Sequence, residues 1–251
     1  MADGPVSELR DTNGESLKSG EQVARDLRSR IARGELQPGD RLPPEDELMT
    51  RLGLARTTVR EGLRILESQG LIEVRRGRQG GGRVTHPKVD HLAQALALTL
   101  QLQRVTYADL DAASQLIEPA LAGRLADHHT DEDVAALSAV VDRAAAAARN
   151  FDRQAFGAAA TELHEAVVAR AGNTTLATIS RLLHELRAEY YSWASLASDQ
   201  ARFDRAVRSY RKLVRLVEQG DGVAAEAHWR AQLAYISKYS RADVDRPIRF
   251  I

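Results

Sequence analysis

The chain has 251 residues, with 35 Lys+Arg against 35 Asp+Glu, 43% hydrophobic residues and no cysteine. That is an ordinary globular composition, long enough for one large domain or two smaller ones, and the missing cysteine excludes disulfide scaffolds, thiol nucleophiles and thiolate-ligated metals. No stretch approaches the roughly 18 uninterrupted apolar residues of a membrane span, and the polar first twenty residues lack a signal peptide's apolar centre. A cytoplasmic protein with no membrane partner is therefore expected.

The zero net charge conceals a division. Residues 1–50 carry seven basic and eleven acidic side chains, residues 51–88 carry nine basic and three acidic, and the remainder is close to neutral. All twelve aromatic residues lie between Tyr107 and Phe250. A small basic module is thus followed by a larger one that holds every ring. Pro87 biases the residue before it away from helix, which suits a boundary there. The expected organisation is a flexible tail at 1–18, a basic domain at 19–86, a linker at 87–90, an all-helical domain at 91–240 and a C-terminal tail at 241–251.

In chain order, Ser19 and Gln22 resemble a capping box, and Val23, Leu27 and Ile31 follow at helical spacing until Gly34. Leu36 to Asp40 reads as a turn. Pro43-Pro44 opens a short helix with Glu45, Asp46 and Glu47 in its favourable first turn, ended by Gly53. A third helix begins near Ala55, with Val59, Leu63 and Leu66 as an inward stripe, and stops at Gly70. Residues 71–74 and 82–85 alternate as two short strands around RRGRQGG. Helix, sharp turn, helix and basic hairpin together predict a winged helix-turn-helix.

From residue 90 onward the pattern is helical throughout. Leu92, Leu96 and Leu100 mark one helix, and Tyr107 to Leu125 another. Thr130 caps a third, and Asp152, Asn173, Asp199 and Asp221 start others. Short links imply antiparallel neighbours. The fold class is therefore mainly α: an N-terminal winged helix-turn-helix of three helices and a two-stranded wing, then an antiparallel bundle of six or seven helices.

The charges indicate what the first module does. Arg56, Thr57, Arg60 and Arg64 fall opposite the apolar stripe of the third helix. Arg reads guanine bidentately in the major groove, and Thr57 and Thr58 suit a phosphate or a thymine methyl. Arg75, Arg76, Arg78 and Arg83 cluster on the hairpin, where they suit backbone or minor-groove contact. A lone run of arginines is usually a solvated face, but two elements converging on a duplex are stronger evidence. One module offers few base contacts, so a homodimer on a palindromic operator is expected. QGGGR matches no phosphate-loop pattern and lies between strands.

The stretch ELQPGDRLPPEDELMTRLGLARTTVREGLRILESQGLIEVRRGRQGGGRV resembles the DNA-binding domain of the GntR family of bacterial transcription regulators. The resemblance implies that Arg56, Thr57, Thr58 and Arg60 are recognition-helix contacts and that Arg76 and Gly77 form the wing tip. Asp46 departs from it, standing where many members carry Arg. Ala55 also departs, at the usual position of a capping Ser or Thr.

Leu116-Ile117-Glu118-Pro119, Leu163-His164-Glu165, Gly172-Asn173 and Gly220-Asp221 are similar to the FadR-type subfamily, which implies an effector-responsive repressor. Many such domains hold a divalent metal with one Asp and three His. By spacing, the matching positions here are Ala160, His164, Tyr210 and Gln232, and the carboxylate-binding Arg position is Ser114.

One ligand in four survives, so no metal and no cofactor are expected, with a shifted set using His184 or His228 left open. The candidate effector contacts are Ser114, Ala160, His164, Tyr190, Trp193, Tyr210, Trp229 and Gln232, although a hydrogen-bonded core histidine is the plainer reading of His164. Lost charges and aromatic walls point to an apolar effector, a fatty acyl-CoA or another lipid-like metabolite. The alternatives are a metal-dependent sensor of a small carboxylate and an effector-blind DNA binder. No H-E-x-x-H or G-x-S-x-G motif supports an enzyme.

Overall fold

Two helices of the N-terminal unit meet at a glycine. Helix α1 (Ser19–Ala32) and helix α3 (Arg56–Ser68) approach so closely at Gly62 that a Cβ there would fall 2.5 Å from Val23 Cβ and 2.7 Å from the Gly20 carbonyl. The computed structural model describes residues 19–75, 81–85, 89–188, 200–239 and 247–248. The chain divides into two compact units, Met1–His91 and Leu92–Ile251.

In the first unit, Val23, Ala24 and Leu27 of α1 and Val59 and Leu66 of α3 are fully buried, together with Leu48 of helix α2 (Glu45–Leu52). Leu63 of the expected stripe is only half-buried. Gly53 ends α2 in the left-handed conformation at φ 67°, which a glycine adopts without a Cβ clash. Strand β1 (Ile72–Arg75) pairs antiparallel with β2 (Gly81–Val84), Ile72 opposite Val84. The turn before α2 closes onto β2 through Gly39 N–H to the Val84 carbonyl and Leu42 N–H to the Gly82 carbonyl.

From Val89 onward the described residues form seven helices: α4 (Val89–Leu102), α5 (Tyr107–His128), α6 (Asp131–Arg149), α7 (Arg153–Arg170), α8 (Thr174–Ala188), α9 (Gln200–Glu218) and α10 (Gly222–Tyr239). Helix α4 thus begins inside the stretch expected to be a linker. Thr106 and Asp152 accept from backbone N–H groups as N-caps, and Thr130 and Asp133 form a reciprocal capping box. Asn173 and Asp221 also cap; Asp199 lies outside the described residues. The last residues are not simply a tail. Ile248 is fully buried and donates its N–H to the Val105 carbonyl, and Pro247 bridges Thr106.

Pro119 sits inside α5, where a proline removes one helical hydrogen bond. The carbonyl left without its helical donor is that of Gln115, and Arg230 of α10 donates to it at 3.1 Å. The same two helices lie close enough that a Cβ on Gly123 would fall 2.9 Å from the Gly222 carbonyl.

Gly62→Ala should destabilise the N-terminal unit. Alanine gains about 1 kcal/mol of helix propensity, but overpacking against a β-carbon and a backbone oxygen costs about 1–3 kcal/mol. Urea unfolding of the variant is expected to show a lower midpoint, and an equal or higher one would contradict the close approach of α1 and α3.

Candidate functional site

Helix α3 starts at Arg56 after Ala55, which provides no side-chain cap. Burial of Val59 and Leu66 leaves Arg56, Thr57, Arg60 and Arg64 exposed and Thr58 half-buried. The acids of α2 reach across to this face. Asp46 pairs with Arg56, and the Arg60 Nε lies 3.1 Å from both carboxylate oxygens of Glu45. Exposed pairs of this kind contribute about 0–1 kcal/mol, so they hold the guanidinium groups only weakly. Arg83 donates to the Gly39 carbonyl at 2.8 Å, tying β2 to the preceding turn. Arg75 stands opposite Gly81 on the hairpin. Arg76, Gly77 and Arg78 lie outside the described residues.

The bundle contains a second constellation. Asp111, Ser114 and Glu118 recur at i, i+3 and i+7 along α5, and Ser180, His184 and Arg187 at i, i+4 and i+7 along α8. Glu118 is completely buried. One of its oxygens accepts from His164 Nδ1 at 2.8 Å; the other accepts from His184 Nε2 at 2.8 Å and Arg187 Nη2 at 3.2 Å. Arg187 also donates to Asp111 at 3.0 Å. An ionised carboxylate only accepts, so each imidazole must present a proton to it.

Burial opposes ionisation of Glu118, but the opposing pull of His164 and His184 holds its carboxyl well below the ordinary 4.5. Burial likewise depresses His164 below 6.5, with Glu118 pulling the other way, so His164 is neutral near pH 7.

Around this network lie four of the residues singled out from the sequence. Ser114, His164, Tyr210 and Trp229 are all buried, with the His164 ring 4.8 Å from Trp229 and Tyr210 6.3 Å from Trp229. Ala160 is fully buried and offers no donor. Gln232 is buried but lines a different pocket. Tyr190 and Trp193 lie outside the described residues.

Asp111, Glu118, Ser180 and Arg187 are not among the contacts that spacing in the sequence predicts, and His184 is only an open alternative there. The available signal was their helical spacing on two faces that would otherwise be apolar. The expectation of a chamber stripped of charge is therefore corrected: Arg187, Asp111 and Glu118 bring charges to the same region, from helix positions that spacing to the metal motif never reaches.

The ion implied by the subsidiary resemblance does not fit these residues. Ala160 cannot ligate, and burial pushes the Tyr210 phenol far up, away from the ionised form. Among the described residues, Glu118, His164 and His184 present ligand atoms within 4.8 Å of one another. Both Glu118 oxygens already accept hydrogen bonds there, and a guanidinium stands beside them. His228 instead contacts the Ser209 carbonyl at 2.9 Å.

Glu118→Ala should leave Arg187 with one carboxylate instead of two and cost about 3–5 kcal/mol, the range for breaking a buried pair. The unfolded chain binds protons more readily than the folded one at both His164 and Glu118, so stability rises with pH. It should be fully present above the ordinary 6.5 of histidine, fall as pH drops through the depressed value of His164, and fall again below 4.5 as Glu118 protonates. Thermal unfolding between about pH 8 and pH 4 measures this. A melting temperature that stays flat or rises on acidification would contradict the network.

Comparison with known proteins accounts for both halves. Residues 19–80 match the family described as bacterial regulatory proteins, gntR family, and residues 109–235, just over half the chain, match the FCD domain. The galactonate operon transcriptional repressor of Escherichia coli (strain K12) is 26% identical over 231 residues, covering 90% of this chain and 97% of that protein. The probable D-xylose utilization operon transcriptional repressor of Paenarthrobacter nicotinovorans is 28% identical over 222 residues, covering 87% and 88%. A solved structure titled Streptococcus agalactiae GntR shares the fold, with a TM-score of 0.65 at 23% identity over 89% of this chain and all of that one. Both of the curated relatives are named as operon transcriptional repressors. No described helix is long and apolar enough to cross a membrane. The chain belongs to the GntR family of bacterial regulatory proteins, with an FCD domain as its helical half.

Proposed function

We propose that this protein is a homodimeric repressor whose α3 helices read a palindromic operator, and that a small polar, hydroxylated metabolite bound in the helical bundle releases it. The observation that carries the effector reading is the buried network of Glu118, Arg187 and Asp111. Around it, Asp111 Oδ2 and the hydroxyls of Ser114, Ser180 and Tyr210 are buried without a hydrogen-bond partner among the described residues, as is the Trp229 indole N–H. Each such atom costs about 1–3 kcal/mol, and a ligand with several hydroxyls satisfies them where an alkyl chain does not. Arg187 adds a guanidinium suited to a carboxylate.

The relatives agree in kind, one being named for a galactonate operon and another for D-xylose utilization. A fatty acyl chain is the less suited occupant, because it would lie against ionised groups without satisfying them. On the DNA side, the exposed Arg56, Thr57, Arg60 and Arg64 support the assignment of α3, and the arginines of the hairpin complete it.

Two experiments test this reading. Arg60→Ala should weaken specific operator binding by about 1–3 kcal/mol, and unchanged affinity would remove α3 from the groove. A thermal-shift and gel-shift series with galactonate, xylose, a fatty acyl-CoA and divalent zinc should give stabilisation and operator release with a sugar or sugar acid, abolished by Arg187→Ala. Release that lengthens with acyl chain would restore the lipid reading. Release that requires zinc would install a metal at Glu118, His164 and His184. No response to any arm, with light scattering showing a monomer, would refute both the effector and the dimer.

A further inference from the structure

Helices α9 and α10 run antiparallel, with a groove between them that the effector reading does not use. Arg205, Arg208, Ser209 and Lys212 of α9 and His228, Ala231 and Gln232 of α10 line a pocket of about 310 Å³. No carboxylate lines it. Among the described residues, Arg208 and Lys212 form no ion pair, although they lie one helical turn apart and repel each other. Arg205 is held in place over the Tyr235 ring, 3.4 Å from its centroid. Gln232, only 5% exposed, forms part of the floor. His228 is fixed by contacts from Nε2 to the Ser209 carbonyl at 2.9 Å and to its hydroxyl at 3.1 Å.

We propose that this groove is a phosphate site that takes the phosphate group of a small phosphorylated metabolite, separate from the buried network. Three permanent cations converge on one small cavity, which calls for a compact multivalent anion more than a single carboxylate. Guanidinium forks at Arg205 and Arg208 match phosphate oxygens bidentately, while Lys212 adds a point charge. The Gln232 amide and the Ser209 hydroxyl are further donors at the floor. Burial, together with Lys212 and Arg215, disfavours the protonated form of His228, against the pull of the Ser209 carbonyl. A bound dianion would act in the opposite sense, favouring the protonated imidazole. The cavity volume is at the lower end of metabolite pockets, which suits a phosphate ester and not a long ligand. Exposed Ala231 leaves the mouth open, where a larger side chain would close it.

The test uses the full-length, DNA-free protein at about 150 mM salt, where non-specific attraction is largely screened. Inorganic phosphate and a hexose 6-phosphate are titrated by calorimetry, with histidine resonances followed in parallel. The proposal expects saturable binding of one phosphate group per chain, with the His228 resonance moving, and tighter binding of the ester than of the bare ion. Ala231→Glu, at an exposed position, and the double variant Arg208→Ala/Lys212→Ala should each weaken binding about tenfold or more. Arg187→Ala, in the buried network, should leave it unchanged, so that failure of the sugar-acid reading and failure of this one are distinguishable. Absence of saturable binding, or binding indifferent to both groove variants, overturns the proposal. Loss of operator affinity in the groove variants without any phosphate binding would also overturn it and assign the groove to DNA.

Discussion

A carboxylate out of reach of water needs donors from more than one direction, and Glu118 finds them on two other helices. His164 comes from α7, His184 and Arg187 from α8, and each bond constrains the distance from α5 to its neighbour. Apolar packing alone tolerates small sliding of helices at modest cost, whereas a buried ion pair loses most of its value when one partner withdraws. The network therefore fixes the relative placement of three helices more sharply than the surrounding leucines and alanines do. Asp111 completes it by giving Arg187 a second carboxylate.

Under the effector reading proposed above, the same residues are the part of the bundle on which a bound molecule would have most leverage. A ligand that engages Arg187 or the nearby hydroxyls changes the partners of groups that already bind three helices together. Only an unequal affinity for two arrangements shifts a population between them. Pro119 immediately follows Glu118, so α5 lacks one internal hydrogen bond beside its most constrained side chain, and Arg230 restores that bond from α10. The fourth helix is thus coupled to the same stretch of α5 through a donor that does not belong to α5 itself.

In the DNA-binding unit the electrostatics run the other way, with charges at the surface and few constraints. Arg56 and Arg60 rest on Asp46 and Glu45, exposed partners that water and salt screen. Their acids keep the free face closer to neutral than the arginine content suggests. Asp46, a departure from the pattern of the family, acquires a physical role here. It holds Arg56, the first residue of α3, where Ala55 supplies no cap.

Much of the fold was legible because it rests on local rules. The stripe of Val59 and Leu66, the Gly53 stop, the hairpin and the caps at Thr130 and Asp152 all follow from spacing and backbone chemistry within a few residues. The basic cluster of α3 was equally plain, since helical periodicity places its arginines opposite the core. What sequence by itself determined was therefore the division into a basic reading head and a helical bundle. Only tertiary structure decided the content of the bundle site. Asp111 and Arg187 are 76 residues apart, and Glu118 and His184 are 66 apart. Periodicity assigns a residue to a face but not to a facing neighbour, so the charge that Arg187 of α8 brings to Asp111 and Glu118 leaves no mark in the sequence of α5. Ile248 shows the same limit: beyond the last periodic segment, one apolar residue carries no pattern, and its burial depends on the space that Tyr107 and Leu186 leave for it.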